Sequence, residues 1–183
     1  MEAQGFSPAN KAKKRGALLA LAMPGLAPQS VRTFFITTNT WGRRSLFQTD
    51  RMASLLLDVL ADNRKRGRFQ LEFVIMPDHV HAILTPAFEI PLERAVQFIK
   101  GGFSFRAKKE LCFMGEIWQT SFTEHRIKDS DDYAAHRNYI YENPARRGLR
   151  GDYPYCSARG AFELDPVPPG LKPISYKAAV SQG

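Results

Sequence analysis

This sequence predicts an α+β domain with a ferredoxin-like antiparallel β-sheet, ordered β-α-β-β-α-β with packed helices and followed by a C-terminal helix. Three observations lead there. Short β-branched or aromatic runs alternate with longer stretches whose apolar residues recur at helical spacing. The two central runs are separated only by Pro77-Asp78, a connection that suits an antiparallel pair. Finally, 183 residues with 44% hydrophobic content can bury one sizeable core.

Residues 1–30 are rich in Ala, Pro, Gly and Lys and read as a flexible basic arm. Within it, the apolar run from Ala17 to Met23 behind "KAKKR" imitates a signal peptide. That run is short, begins well inside the chain and meets Pro24-Gly25, so an arm is the better reading. "VRTFFITTN" (31–39) is a first strand, and "WGRRSLFQ" a polar loop. Asp50 is the expected N-cap of a helix in which Met52, Leu55, Leu56, Val59 and Leu60 recur, and Gly67 ends it. "RFQLEFVIMP" (68–77) and "HVHAILT" (79–85) form the central strand pair.

Pro91 opens a second helix carrying Leu92, Ala95, Val96 and Ile99, which Gly101-Gly102 should weaken or bend. "IWQTSFTEHRIK" (117–128) alternates as a fourth strand. "DSDDYAAHRNYIYEN" starts with acids that suit the N-terminal helix dipole and should stop at Pro144. The domain therefore spans 31–158, with a Pro/Gly-rich tail over 159–183.

Twenty-six Lys and Arg against eighteen Asp and Glu give a net charge of +8, which favours a polyanionic partner, nucleic acid first. The two cysteines, Cys112 and Cys156, indicate neither a disulfide framework nor a Cys-rich zinc site, and they fit a cytoplasmic setting. No run approaches the roughly 20 apolar residues of a membrane span. Phosphate contacts are expected from "KAKKR" (11–15) and from Arg64, Lys65 and Arg66 of "RKRGR". They are also expected from Lys100, Arg106, Lys108 and Lys109 of "KGGFSFRAKK", and from Arg146 and Arg147 of "RRGLR". Phe103 and Phe105 either stack on unpaired bases or belong to the core.

Two motifs carry chemistry. In "VIMPDHVHAIL" (74–84), His79 and His81 share one strand face while Val80 points the other way. That spacing separates the imidazoles by about 6–7 Å along the strand, a workable bite for one metal ion. Two satisfied core histidines are the competing reading, and the pair alone does not decide between them. On the last helix, Tyr139 and Asn143 are four apart and share a face, with His136 one turn earlier. Tyr141 lies about 200° around from Tyr139 and faces elsewhere.

"MPDHVHAILTP", "GEIWQTSFTEHRIKDSDDY" and "YIYENPARRGL", in this order, resemble the HUH single-tyrosine transposases, most closely the REP-associated tyrosine transposase (RAYT) branch. The resemblance covers roughly residues 31–158. It departs in the first strand, where "RTFFITTNTWGRR" lacks a histidine that many members carry. It implies a Mg²⁺ or Mn²⁺ ion held by His79, His81 and Asn143, with Tyr139 as the nucleophile on a catalytic helix. The implied reaction is metal-dependent transesterification of single-stranded, hairpin-bearing DNA through a 5′-phosphotyrosine, leaving a 3′-hydroxyl and needing no ATP.

A free tyrosine is about 0.1% ionised at pH 7, a deficit of roughly 4 kcal/mol that an ion on the phosphate helps offset. The implied assembly is a monomer or a homodimer. The alternative function is a domesticated hairpin-DNA-binding protein that does not cleave. A replication-type or conjugation-type HUH nickase fits less well, because the chain is short and shows no helicase-like domain.

Overall fold

The structure, a computed structural model, describes residues 32–158 together with Phe162, residues 165–168 and Leu171. The expected basic arm, including its 11–15 cluster, and most of the tail lie outside the described residues. Four strands, β1 (Phe34–Asn39), β2 (Phe69–Met76), β3 (His79–Pro86) and β4 (Thr123–Arg126), form one sheet. Three helices, α1 (Asp50–Lys65), α2 (Leu92–Leu111) and α3 (Ser130–Arg146), complete the fold. The sheet order is β2-β3-β1-β4 with every neighbour antiparallel, which is the ferredoxin-like arrangement. No helix among the described residues is long and apolar enough to cross a membrane.

Strand alternation divides the core in two. Val80, Ala82 and Leu84 of β3 face α1 and α2, where Leu56, Val59, Leu60, Val96, Ile99 and Phe103 are buried against them. The opposite face carries His79, His81 and Ile83, and there Val74, Met76 and Ile83 pack beneath Tyr133 and Ile140 of α3. Residues 155–157 run along the outer edge of β2. The Ile75 N–H donates to the Tyr155 carbonyl at 2.8 Å, and the Ser157 N–H donates to the Phe73 carbonyl at 2.9 Å. Such cover removes an edge that would otherwise invite strand pairing.

Five sequence expectations change in detail. Thr49, not Asp50, occupies the N-cap position of α1; Asp50 is the first helical residue and accepts from the Tyr155 hydroxyl at 2.8 Å. Helix α2 runs unbroken through Gly101-Gly102, since a Cβ at Gly102 would sit 3.3 Å from Val59 Cγ1 and the glycine lets α1 approach. Phe103 is fully buried between Phe47 and Trp118, so it is a core residue, whereas Phe105 is exposed.

The fourth strand is only Thr123–Arg126, with one isolated bridge between Thr40 and Trp118. Between them the chain leaves the sheet, and the Lys100 ammonium donates to the carbonyls of Gln119, Thr120 and Ser121 at 2.5, 3.2 and 3.5 Å. Helix α3 passes Pro144 and ends at Arg146. Near a helix end the missing proline N–H costs one bond, and the N–H groups of Arg147 and Leu149 close the turn on the Pro144 carbonyl. Gly148, at φ +67°, then reverses the chain.

Helix α3 is held from beneath by a buried carboxylate. Glu72 of β2 is 4% exposed and accepts from the Tyr133 hydroxyl, from the Tyr141 hydroxyl at 2.5 Å and from Arg137 Nε at 2.9 Å. Tyr133, Arg137 and Tyr141 recur every four residues, so one flank of α3 is laced to one strand. Burial first, and then the hydrogen bonds to Glu72, raise the pKa of both phenols above the ordinary tyrosine value. Replacing Glu72 by Ala leaves the two phenols without their acceptor and Arg137 Nε with only the Tyr141 hydroxyl, at 3.0 Å. The expected loss is about 3 kcal/mol of unfolding free energy in urea, the low end for a broken buried ion pair because Arg137 keeps partial contact with water.

Candidate active site

The two motifs singled out in the sequence meet on the α3 face of the sheet. The hairpin is tight: Met76 pairs with His79 across Pro77-Asp78, and β1 pairs with β3 so that Thr37 stands opposite His81 and Asn39 opposite His79. The imidazoles of His79 and His81 are buried, with ring centroids 4.6 Å apart at 77°. His79 Nδ1 lies 2.5 Å from Asp78 Oδ1, and His81 Nδ1 lies 2.7 Å from Thr37 Oγ1. With each Nδ1 engaged in this way, Nε2 is the nitrogen each ring keeps for a further ligand, and that of His81 faces Tyr139. Partners of this kind set the orientation and tautomer of a ligating histidine.

From α3, Tyr139 brings its hydroxyl to 3.5 Å from His81 Nε2, with ring centroids 5.1 Å apart. The ring is 36% exposed, so the phenol faces the outside as well as the histidines. Asn143, one turn on, is 5% exposed, and its side-chain oxygen has no hydrogen-bond partner among the described residues. A buried acceptor left unpaired costs about 1–3 kcal/mol, so this oxygen asks for a ligand. Tyr141 is on the other flank of α3, bonded to Glu72, as its angular offset predicts.

Electrostatics favour neutral imidazoles. Burial pushes His81 down to about 3, with further depression from His79, Arg43 and Arg147. Burial also lowers His79, partly opposed by Asp78. Two neutral imidazoles and one amide oxygen form a donor set with the chemistry of a divalent-ion site.

Sequence reading missed the site's supporting residues. Arg43 donates to Asn39 and pairs with Asp78 at 3.0 Å, and Gln119 accepts from Asn39 Nδ2 at 3.2 Å. The signal available was "WGRR", an aromatic and basic string just past a strand that pairs with the His-x-His strand. Trp41 in that string is 45% exposed.

The expected phosphate-binding residues fall in different places. Arg147 lies close enough to His79 and His81 to lower both, and Arg146, paired with Glu142 at 2.7 Å, sits 5.9 Å from the Tyr139 ring centroid. Lys65, Arg66, Lys108 and Lys109 are exposed on α1 and α2 or just beyond their ends. Arg64 pairs with Asp165 at 2.7 Å, and Arg106 is engaged by Glu110, Asp58 and Asp62. The ammonium of Lys100 is spent on loop carbonyls.

A ferredoxin-like sheet that presents a His-x-His strand to a Tyr-x-x-x-Asn helix belongs to a class of tyrosine transposases, and comparison with known proteins agrees. Residues 33–143 match the IS200-like transposase family, and this chain belongs to it. It is 31% identical over 142 residues to the REP-associated tyrosine transposase of Escherichia coli (strain K12), spanning 73% of this chain and 83% of that one. A related Haemophilus influenzae sequence of the same kind is 30% identical over 129 residues, 59% of this chain and 73% of its own length. Among solved structures, a REP-associated tyrosine transposase bound to a REP hairpin superposes with a TM-score of 0.55 at 27% identity, covering 79% of this chain and 93% of that one.

The histidine protonation carries a stability consequence. Unfolded, a histidine titrates near 6.5; folded, His81 titrates near 3. Below 6.5 the unfolded chain therefore binds the extra proton, and stability falls as pH drops from there toward 3. Urea unfolding of chelator-treated protein across this range should show that loss, and His81→Gln should lessen its slope.

Proposed function

We propose that this transposase is a metal-dependent, single-strand DNA endonuclease and strand-transferase that works beside hairpin-forming DNA through a 5′-phosphotyrosine. The observation that carries this reading is the approach of the partly exposed Tyr139 hydroxyl to His81 Nε2. The unpartnered Asn143 oxygen on the same helix face supports it. In this reading His79, His81 and Asn143 hold Mg²⁺ or Mn²⁺, and Tyr139 is the nucleophile. When bound, the ion neutralises phosphate charge and orients the leaving oxygen.

The residues divide the remaining work. The Tyr139 oxygen forms a bond to phosphorus while the bond from phosphorus to the 3′-oxygen breaks. The phenolic proton is lost and the departing oxygen gains one, so no net proton is consumed. One phosphodiester replaces another, so the bond energy is kept and the strand can be rejoined without ATP. Asp78 and Thr37 keep the two imidazoles oriented, and Glu72 keeps α3 over them.

Arg43, Arg146 and Arg147 border the site and give it a positive approach for a phosphate backbone. Exposed Trp41 and Phe105 offer faces on which unpaired bases can stack. A hairpin substrate is carried over from the solved relative that holds one. All four site residues come from one chain, which suits a monomer acting alone, and a homodimer is the other assembly. The exposed Lys65, Arg66, Lys108 and Lys109 lie at the helices that cover the other face of the sheet and offer phosphate contacts away from the site.

The test is an incubation of the full chain with hairpin-bearing single-stranded DNA and Mn²⁺, read on a denaturing gel. A protein–DNA adduct is expected that needs the divalent ion and is lost in Tyr139→Phe, while gel-shift binding of the hairpin persists in that variant. An adduct that survives Tyr139→Phe contradicts the assignment. Undiminished hairpin affinity with no adduct under any metal favours the non-cleaving alternative.

A further inference from the structure

The chain has four histidines, and they fall into two pairs. His79 and His81 belong to the site above. His125 of β4 and His136 of α3 are the second pair, and both meet Asp132. One donor atom from each of His125, Asp132 and His136 lies within 4.8 Å of the others. His125 Nε2 lies 2.8 Å from Asp132 Oδ2 and 3.1 Å from Oδ1, and His136 Nδ1 lies 3.0 Å from Oδ1 and 2.9 Å from the Asp132 backbone carbonyl oxygen, so both rings close on one carboxylate and an ion bound here replaces these hydrogen bonds. The Lys128 N–H donates to Asp132 Oδ2 at 3.0 Å and fixes the carboxylate from behind. The two imidazoles stack with centroids 4.8 Å apart at 20°. Packing alone does not require this grouping: the three side chains stay 41%, 19% and 24% exposed, while Ile127, Tyr133 and Ile140 supply the buried contacts nearby.

We propose that His125, Asp132 and His136 form a second metal site, separate from the His79–His81 pair, that takes a divalent ion of the zinc class. Two imidazoles and one carboxylate, with one side open to water, suit a tetrahedral ion that completes its shell with solvent. Hard Mg²⁺ prefers oxygen donors and is the poorer fit.

Its role follows from which elements it joins. β4 and β2 are opposite edges of the sheet, and Glu72 already laces one flank of α3 to β2. An ion between His125 and the pair Asp132 and His136 ties the other flank to β4. The helix that carries Tyr139 is then held from both sides. The two sites are neighbours through one ring: Phe35 lies 4.5 Å from His136, 5.5 Å from His81 and 5.8 Å from Tyr139, centroid to centroid. A metal in the second site therefore sets the floor on which Tyr139 rests. The competing explanation is a carboxylate that merely accepts hydrogen bonds from two imidazoles and binds no ion.

The experiment uses the full chain carrying His79→Ala and His81→Ala, which removes the first site, and Cys112→Ser, which removes the exposed thiol. After stripping with chelator, the protein is dialysed against Zn²⁺ and its metal content measured. The cobalt form is examined for the visible bands of tetrahedral Co²⁺. One equivalent of Zn²⁺, a raised Tm and tetrahedral bands are expected. Adding Asp132→Asn, or His125→Ala with His136→Ala, should remove all three while circular dichroism shows the fold intact. Failure of the starting protein to take up Zn²⁺ overturns the proposal. So does retention of the full equivalent in folded protein lacking both His125 and His136. Because the first site is absent throughout, neither result depends on the reaction assigned to Tyr139.

Discussion

One buried carboxylate governs this molecule. The residues of the candidate site come from two places, a hairpin strand and a helix that follows it by some fifty residues, and they are brought together only by tertiary packing. Glu72 holds them together at a distance, by accepting two phenols and a guanidinium from one flank of α3. An unpaired carboxylate at this depth would be costly, and its three donors come from one helix, so the pairing fixes both the position and the rotation of α3. With Tyr133, Arg137 and Tyr141 turned down toward β2, Tyr139 and Asn143 must face β3. The interaction is thus less a source of net stability than a device for register.

The second constraint is electrical. The sheet buries two imidazoles side by side, and beside them stand Arg43 and Arg147. Burial and neighbouring positive charge both disfavour protonation, so the pair stays neutral, the state in which nitrogen binds a metal. Asp78 and Thr37 engage the Nδ1 atoms and leave Nε2 as each ring's remaining donor, that of His81 lying 3.5 Å from the Tyr139 hydroxyl. The same arginines that depress the histidines are suited to receive a phosphodiester. In the proposed reaction, protonation, ligand orientation and substrate charge are therefore served by one small group of side chains.

Much of this was legible in the sequence, for identifiable reasons. Element order followed from periodicity, and the helical apolar positions Met52 through Leu60 are all core. The shared face of His79 and His81 follows from the pleat of a strand, and that of Tyr139 and Asn143 from a helical turn. What escaped was long-range. Glu72 sits in an alternating strand and looks like an ordinary outward carboxylate until the helix above it is known. Lys100 reads as a phosphate ligand, but its ammonium is taken by carbonyls of a segment that itself reads as strand. Phe103 and Phe105 are two apart on one helix, and only the packing of α2 on α1 makes one core and the other surface. His125 and His136 read in the sequence only as possible further ligands for the His79–His81 pair; Asp132 joins them to each other once β4 and α3 are placed.

The proposed convergence of His79, His81 and Asn143 on one divalent ion beneath Tyr139 is open to direct observation. Anomalous diffraction from crystals of the full chain soaked in Mn²⁺ tests it most directly. A manganese peak bonded to Nε2 of both histidines and to the Asn143 side-chain oxygen is expected. A peak that leaves Asn143 uncoordinated, or no peak between the two imidazoles, would contradict it.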